Sequence, residues 1–428
     1  MPIPHAQHLH AGRHDPNTGD YLLNAMVQCP TVLSASGTIY MPDSRIFLNR
    51  ASSTAAPPAQ PSSNPLALHQ LLPGYAPTPL LSAPHLAARL GVRAVLVKDE
   101  SARMGLPAFK ILGASWASAC ALARRLGQPT LHAASLAELR DQIAPLRPLT
   151  LAAATDGNHG RAVAHIARLF GLNAHIFVPE GTAQARIDAI ASEGAQVTIV
   201  PGGYDAAVAA SAALAGPRCL VISDTSWPGY EDTPRDVIVG YRTIFTEIDA
   251  ELVQRGEPAP DLVVVQIGVG ALAAAVIQHY RAAPGGPRIL GVEPTQAACV
   301  LASLQAGDLV SIPAPQDSIM AGLNCGTPSL VAWPDVSTGL DALIATDDEW
   351  ARKAMRALAR DGIVAGETGA AGAAGLLDIV ESGDGDALRA ALELGPHSRV
   401  LLLCTEGATD PEAYQQIVTE TTPCAHAS

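Results

Sequence analysis

From about residue 66 onward, short apolar runs alternate with amphipathic stretches. The runs are AVLVK (94–98), LTLAAA (149–154), AHIFV (174–178), QVTIV (196–200), CLVIS (219–223), LVVVQI (262–267), ILGVE (289–293) and VLLLC (400–404). Most are continuous in Val, Ile, Leu and Ala, without polar alternation, which marks strands covered on both faces by crossover helices. The predicted fold class is α/β, with open, twisted, mostly parallel sheets flanked by helices. In such sheets ligands bind beyond the carboxyl ends of the strands, so the turns that follow these runs are where chemistry is expected.

Ahead of this pattern the periodicity is lost. Residues 1–40 carry His5, His8, His10 and His14 without acidic or Cys companions, and no metal site is assigned to them. RIFLN (45–49) is β-like, and ASSTAAPPAQPSSNP (51–65) has the Ala, Pro and Ser content of an exposed linker. Residues 1–65 are therefore expected to be a poorly ordered extension and linker, with the folded body starting near Leu66.

Composition narrows the function classes. The 428 residues suggest two lobes or one large α/β unit, and aromatics at only 4% imply helices packed closely through Ala and Gly. A formal net charge of -13 argues against nucleic-acid and anionic-membrane partners, which need clustered Lys and Arg. No apolar stretch reaches the roughly 18 to 20 residues of a spanning helix, and the N-terminus lacks a basic-then-apolar signal. A cytoplasmic enzyme with a small-molecule partner is expected. Seven Cys occur without a CxxC pair, so neither zinc nor a disulfide framework is indicated, although Cys299 and Cys325 remain possible partners.

Four turns carry candidate chemistry. In KDESARMGLPAFKILGAS (98–115), Lys110 follows Phe109 and opens a helical stretch, where the helix N-terminus disfavours a cation and would help lower the amine pKa. A Lys in that place is also common on plain surfaces. After LTLAAA comes TDGNHG, in which Asp156 places a carboxylate at the strand end, Asn158 can bond a planar ring, and Gly157 permits close backbone approach. The same residues suit an ordinary helix start. After LVVVQI, Gly268, Val269, Gly270, Ala271 and Leu272 lead into a helix, and their outward N–H groups would cradle a single phosphate. A dinucleotide fits less well, because the last Gly of GxGxxG is absent. Finally, Thr405 emerges past VLLLC in CTEGATD, where its hydroxyl can meet a ring nitrogen, although TEG also suits a simple turn.

Together these four motifs resemble the fold type II pyridoxal-phosphate enzymes, the tryptophan synthase β and threonine dehydratase group, from about Pro77 to Asp410. Within it, KDESARMGLPAFKILG, TDGNHGRAVA, DTSWPGYEDTP, SIMAGLNCGTPS, GETGAAG and CTEGATD resemble the diaminopropionate ammonia-lyases. The resemblance implies two open, mostly parallel sheets, with a large cofactor-binding domain at 66–117 and 229–428 and a smaller mobile domain at 118–228. It implies pyridoxal 5′-phosphate held by Lys110 as a Schiff base, with Phe109 beside it. Asn158 would contact the ring hydroxyl, residues 268–272 the phosphate, and Thr405 the ring nitrogen.

Asp156 stands where threonine and serine dehydratases carry an uncharged residue, which implies a second base. Lys110 would take the α-proton from one enantiomer of 2,3-diaminopropionate and Asp156 from the other, and the products would be pyruvate and ammonia. Asp224 and Thr155 would contact the substrate, and the enzyme would be a homodimer. A serine or threonine dehydratase, or a non-catalytic sensor of pyridoxal phosphate or an amino acid, is the alternative. The chain departs from the family pattern at Pro107, Cys404 and Ala408.

Overall fold

A computed structural model describes residues 44–49, 64–383 and 385–420. The four early histidines and the linker at 51–63 lie outside the described residues. Each apolar run listed above contains a strand: β3 (Ala94–Asp99), β4 (Thr150–Ala154), β5 (Asn173–Pro179), β6 (Gln196–Val200), β7 (Cys219–Val221), β8 (Leu262–Gln266), β9 (Arg288–Pro294) and β11 (Arg399–Cys404). RIFLN supplies β1 (Ile46–Leu48), and two strands not anticipated are β2 (Leu80–Ser82) and β10 (Ala342–Thr346).

They form two sheets. The larger has the order β1-β10-β9-β8-β11-β3-β2, parallel throughout except at its two edge strands β1 and β2; the smaller, β6-β5-β4-β7, is wholly parallel. Alternate residues of each central strand feed opposite cores. Val263 and Val265 of β8 pack with the core that the smaller sheet shares, whereas Leu262 and Val264 face the other side. Leu401 and Leu403 divide from Val400 and Leu402 in the same way on β11. Both faces are dry, which is why these strands show no polar alternation.

The helix Lys110–Arg125 is seated against the helix Asp232–Gly240 by two glycines. A Cβ on Gly240 would lie 2.5 Å from the Leu112 carbonyl oxygen, and one on Gly113 would lie 2.6 Å from the Tyr241 ring. Backbones this close leave Lys110, at the start of its helix, little positional freedom.

Candidate active site

Three segments of the site leave neighbouring strands of the larger sheet at their carboxyl ends. β3 leads through a loop to Lys110; β8 leads through residues 267–270 into the helix Ala271–Tyr280; β11 leads to Thr405. The fourth segment comes from the smaller sheet, where residues 155–157 join β4 to the helix Asn158–Phe170. They converge on one cleft of about 840 Å³. Phe109, Lys110, Thr155, Asp156, Asn158, Asp224, Gly268, Val269, Gly270, Ala271, Leu272 and Thr405 all line it.

Lys110 Nζ donates to Asp224 Oδ2 at 2.6 Å, and Tyr204 OH donates to Asp224 Oδ1 at 3.1 Å. Burial works to depress the lysine pKa, but the Asp224 carboxylate outweighs it and holds the amine above its ordinary value. This reverses the expectation drawn from the helix N-terminus. A full opposite charge in contact exceeds the half-charge of a helix end. Asp224 is likewise held below the usual carboxylate range, burial opposing and Lys110 prevailing. For Asp156, burial pushes the carboxyl up to about 7; Arg186 pulls it down and Asp224 adds to the rise.

The turn around Asp156 is pinned by Thr155, whose Oγ1 accepts from the backbone N–H of Gly157 at 2.8 Å and of Gly160 at 3.0 Å. Gly157 has a φ of +149°, open to few side chains, and an added Cβ would come within 3.1 Å of Arg186 Cδ. The Asn158 amide donates to the Glu406 carboxylate, which couples the smaller sheet's turn to the segment after β11. Phe109 N–H donates to the Thr405 carbonyl at 3.2 Å, which ties the lysine loop to that same segment.

Pyridoxal phosphate fits these residues. The Gly268 to Gly270 turn precedes a helix N-terminus and is too tight for side chains: a Cβ on Gly268 would lie 3.2 Å from Cys325 Sγ, and Gly270 has a φ of +99°. Thr405 Oγ1 accepts from Gln266 Nε2 at 2.8 Å, so its own hydroxyl proton remains to be donated to a ring nitrogen. Comparison of the sequence decides the matter. Residues 71–406 match the pyridoxal-phosphate dependent enzyme family, and the diaminopropionate ammonia-lyase of Salmonella typhimurium is 36% identical over 369 residues, 82% of this chain and 90% of that protein. The chain belongs to the diaminopropionate ammonia-lyase family of pyridoxal-phosphate dependent enzymes.

Two crystal structures from this ammonia-lyase family extend the likeness to three dimensions. The Escherichia coli diaminopropionate ammonia-lyase in complex with D-serine superposes with a TM-score of 0.79 at 33% identity, over 89% of this chain and 98% of that one. The same protein in complex with an aminoacrylate-PLP azomethine reaction intermediate gives 0.77 at 33% identity, with the same coverage.

The cleft of this family member also contains residues that sequence reasoning missed, among them Arg186, Tyr204, Gln266 and Cys325. Gln266 had a legible signal, a lone polar residue closing an apolar run. Arg186 and Tyr204 had none, because they sit in ordinary helices far from any motif. His159 Nε2 donates to the Ile222 carbonyl at 2.7 Å, and burial lowers its pKa, so the ring is neutral with Nδ1 as an unprotonated acceptor. Nδ1 and Gln266 Oε1 are both buried without a hydrogen-bond partner. Cys299 and Cys325, a possible pair by sequence, are both free and buried.

Proposed function

We propose that this enzyme converts both enantiomers of 2,3-diaminopropionate to pyruvate and ammonia. Loss of the Cα proton and the β-amino group leaves 2-aminoacrylate, which adds water and releases a second ammonia. The observation that carries this reading is the pair of proton-handling groups in one cleft, Lys110 and Asp156, the second with a carboxyl pKa of about 7. A dehydratase acting on one isomer of serine or threonine needs one base, and the second would be idle.

When bound, pyridoxal phosphate supplies the electron sink that makes the Cα proton removable. The residues around it have separable tasks. Lys110 anchors the cofactor and serves as base toward one isomer, and Asp156 serves the other. Backbone N–H groups of residues 268–272 hold the phosphate, Asn158 bonds the ring hydroxyl, and Phe109 lies beside the lysine. Thr405, a neutral partner for the ring nitrogen, keeps the sink moderate. Asp224 and Thr155 face the substrate; that Asp224 already holds an ammonium at 2.6 Å supports its use for the substrate's distal amine once Lys110 has engaged the cofactor.

The domain division at 118–228, a homodimeric assembly and a cytoplasmic setting belong to the same proposal, supported by the family resemblance and the acidic charge of -13. Among the described residues no helix is long and apolar enough to cross a membrane. The deciding experiment incubates the purified holoenzyme with D- and L-2,3-diaminopropionate, serine and threonine and measures pyruvate or the corresponding oxo acid. Pyruvate from both diaminopropionate isomers is expected, and turnover of serine or threonine alone would overturn the reading.

A further inference from the structure

Among the described residues lining the cleft, only Lys110 and Arg186 are cations. Lys110 is engaged by Asp224, and its amine is the group that takes the cofactor. Arg186 is different. It is half-buried on the short helix Gln184–Ala191 of the smaller sheet, and its stem crosses the backbone of Gly157, at the one turn position that lacks a side chain. The guanidinium faces Asp156 and, across the cleft, Glu367, yet it makes no hydrogen bond or ion pair with any described residue.

The turn beneath it is short of donors. The N–H groups of Gly157 and Gly160 are both spent on Thr155 Oγ1, and the Asn158 amide is engaged by Glu406. An α-amino acid entering the cleft must bring a carboxylate, and a carboxylate leaving water needs charged or multiple donors in return. Arg186 is the group in the cleft with a fork of N–H donors to give.

We infer that Arg186 binds the α-carboxylate of the amino-acid substrate and so makes a free carboxylate a requirement for turnover. The inference rests on the elimination reading above. It explains why Gly157 carries no side chain: the arginine stem occupies that space. It also places the substrate's carboxylate on the smaller sheet's side of the cleft, opposite the phosphate cradle of the larger one.

The test uses the wild-type holoenzyme with R186M and R186K, and two ligands: 2,3-diaminopropionate and its carboxamide, in which the charge is removed. KM is read from pyruvate release for the acid, and Kd for both ligands from the change they cause in the cofactor's visible absorption. For R186M the acid's KM and Kd are expected to rise about 10- to 100-fold, the range of a charge-assisted hydrogen-bond pair, with kcat little altered. The carboxamide's Kd stays where it was, and R186K recovers part of the loss. Equal weakening of acid and amide, or an unchanged acid Kd, would overturn the inference. So would a variant in which only the pH dependence of the D isomer moves, since Arg186 would then act through Asp156 alone. Failure of wild type to release pyruvate would sink the elimination reading instead, and the Kd comparison would still judge Arg186.

Discussion

The stretch from Lys98 to Lys110 supplies two buried charge clusters built on opposite principles. In the first, Lys98, Glu100, Arg103 and Glu247 are almost wholly buried, two cations against two carboxylates. Arg103 donates to both carboxylates at 2.5 to 2.8 Å and to Thr78 Oγ1 at 2.9 Å; Lys98 donates to Glu247 Oε2 at 2.8 Å and to the Thr78 carbonyl at 2.6 Å. Charge and donors balance. In the second, the cleft, Lys110 and Asp224 are paired, but Arg186, His159 Nδ1 and Gln266 Oε1 face no partner. A closed network fixes geometry, whereas an open one keeps its bonding capacity for what arrives. Arg103 and Lys110 lie on one loop, so the first cluster is the foundation on which the second is held.

This contrast is broken most sharply by removing a charge from each side. Lys110→Ala should abolish the visible absorption of the lysine-bound cofactor and lower turnover by on the order of 10³-fold or more, while thermal unfolding scarcely moves. Arg103→Met should do the reverse in kind: unfolding in urea should show a loss of about 3–5 kcal/mol, because two buried carboxylates lose their partner. If Arg103→Met left stability unchanged, the first cluster would not be a foundation.

Asp156→Asn should reduce turnover of D-2,3-diaminopropionate by about 10²- to 10³-fold and spare the L isomer, with the opposite selectivity reversing the assignment of the bases. In wild type the base form of Asp156 appears only as pH rises through about 7, so kcat for the isomer it serves should fall below that pH. The smallest effect is on acid stability. Burial tends to raise the Glu247 pKa, but hydrogen bonds from Arg103 prevail and hold it below the model glutamate value of 4.5. Its contribution is fully present above that value and is lost as pH falls below it, which urea titrations at descending pH should record as declining stability.

Most of the architecture was legible because strands covered on both faces must be apolar at every position, and LVVVQI or VLLLC can be little else. β2 and β10 were not. β2 is three residues long between Pro79 and Pro84, and β10 reads ALIAT, small apolar residues that a helix would accept equally. In the cleft, turn residues with local signatures were readable, down to Asp156. The two lysines of KDESARMGLPAFK were not separable in role: Lys98 and Lys110 differ only in which carboxylate the tertiary fold brings to them, and Glu247 and Asp224 are both distant in sequence. For the same reason the lysine's pKa was misjudged, since the helix end is local and its stronger competitor is not.

The order of strands carries a last consequence. β8, β11 and β3 are consecutive neighbours, so the phosphate turn, Thr405 and the lysine loop are fixed to one rigid slab. Asp156, Asn158, Arg186 and Tyr204 belong to the other sheet's half of the chain. What grips the coenzyme and what judges the amino acid are thus inherited from different halves of the molecule. Mutations in the second half can retrain the enzyme toward a new substrate without disturbing the first, a division of labour that lets one coenzyme scaffold serve many chemistries.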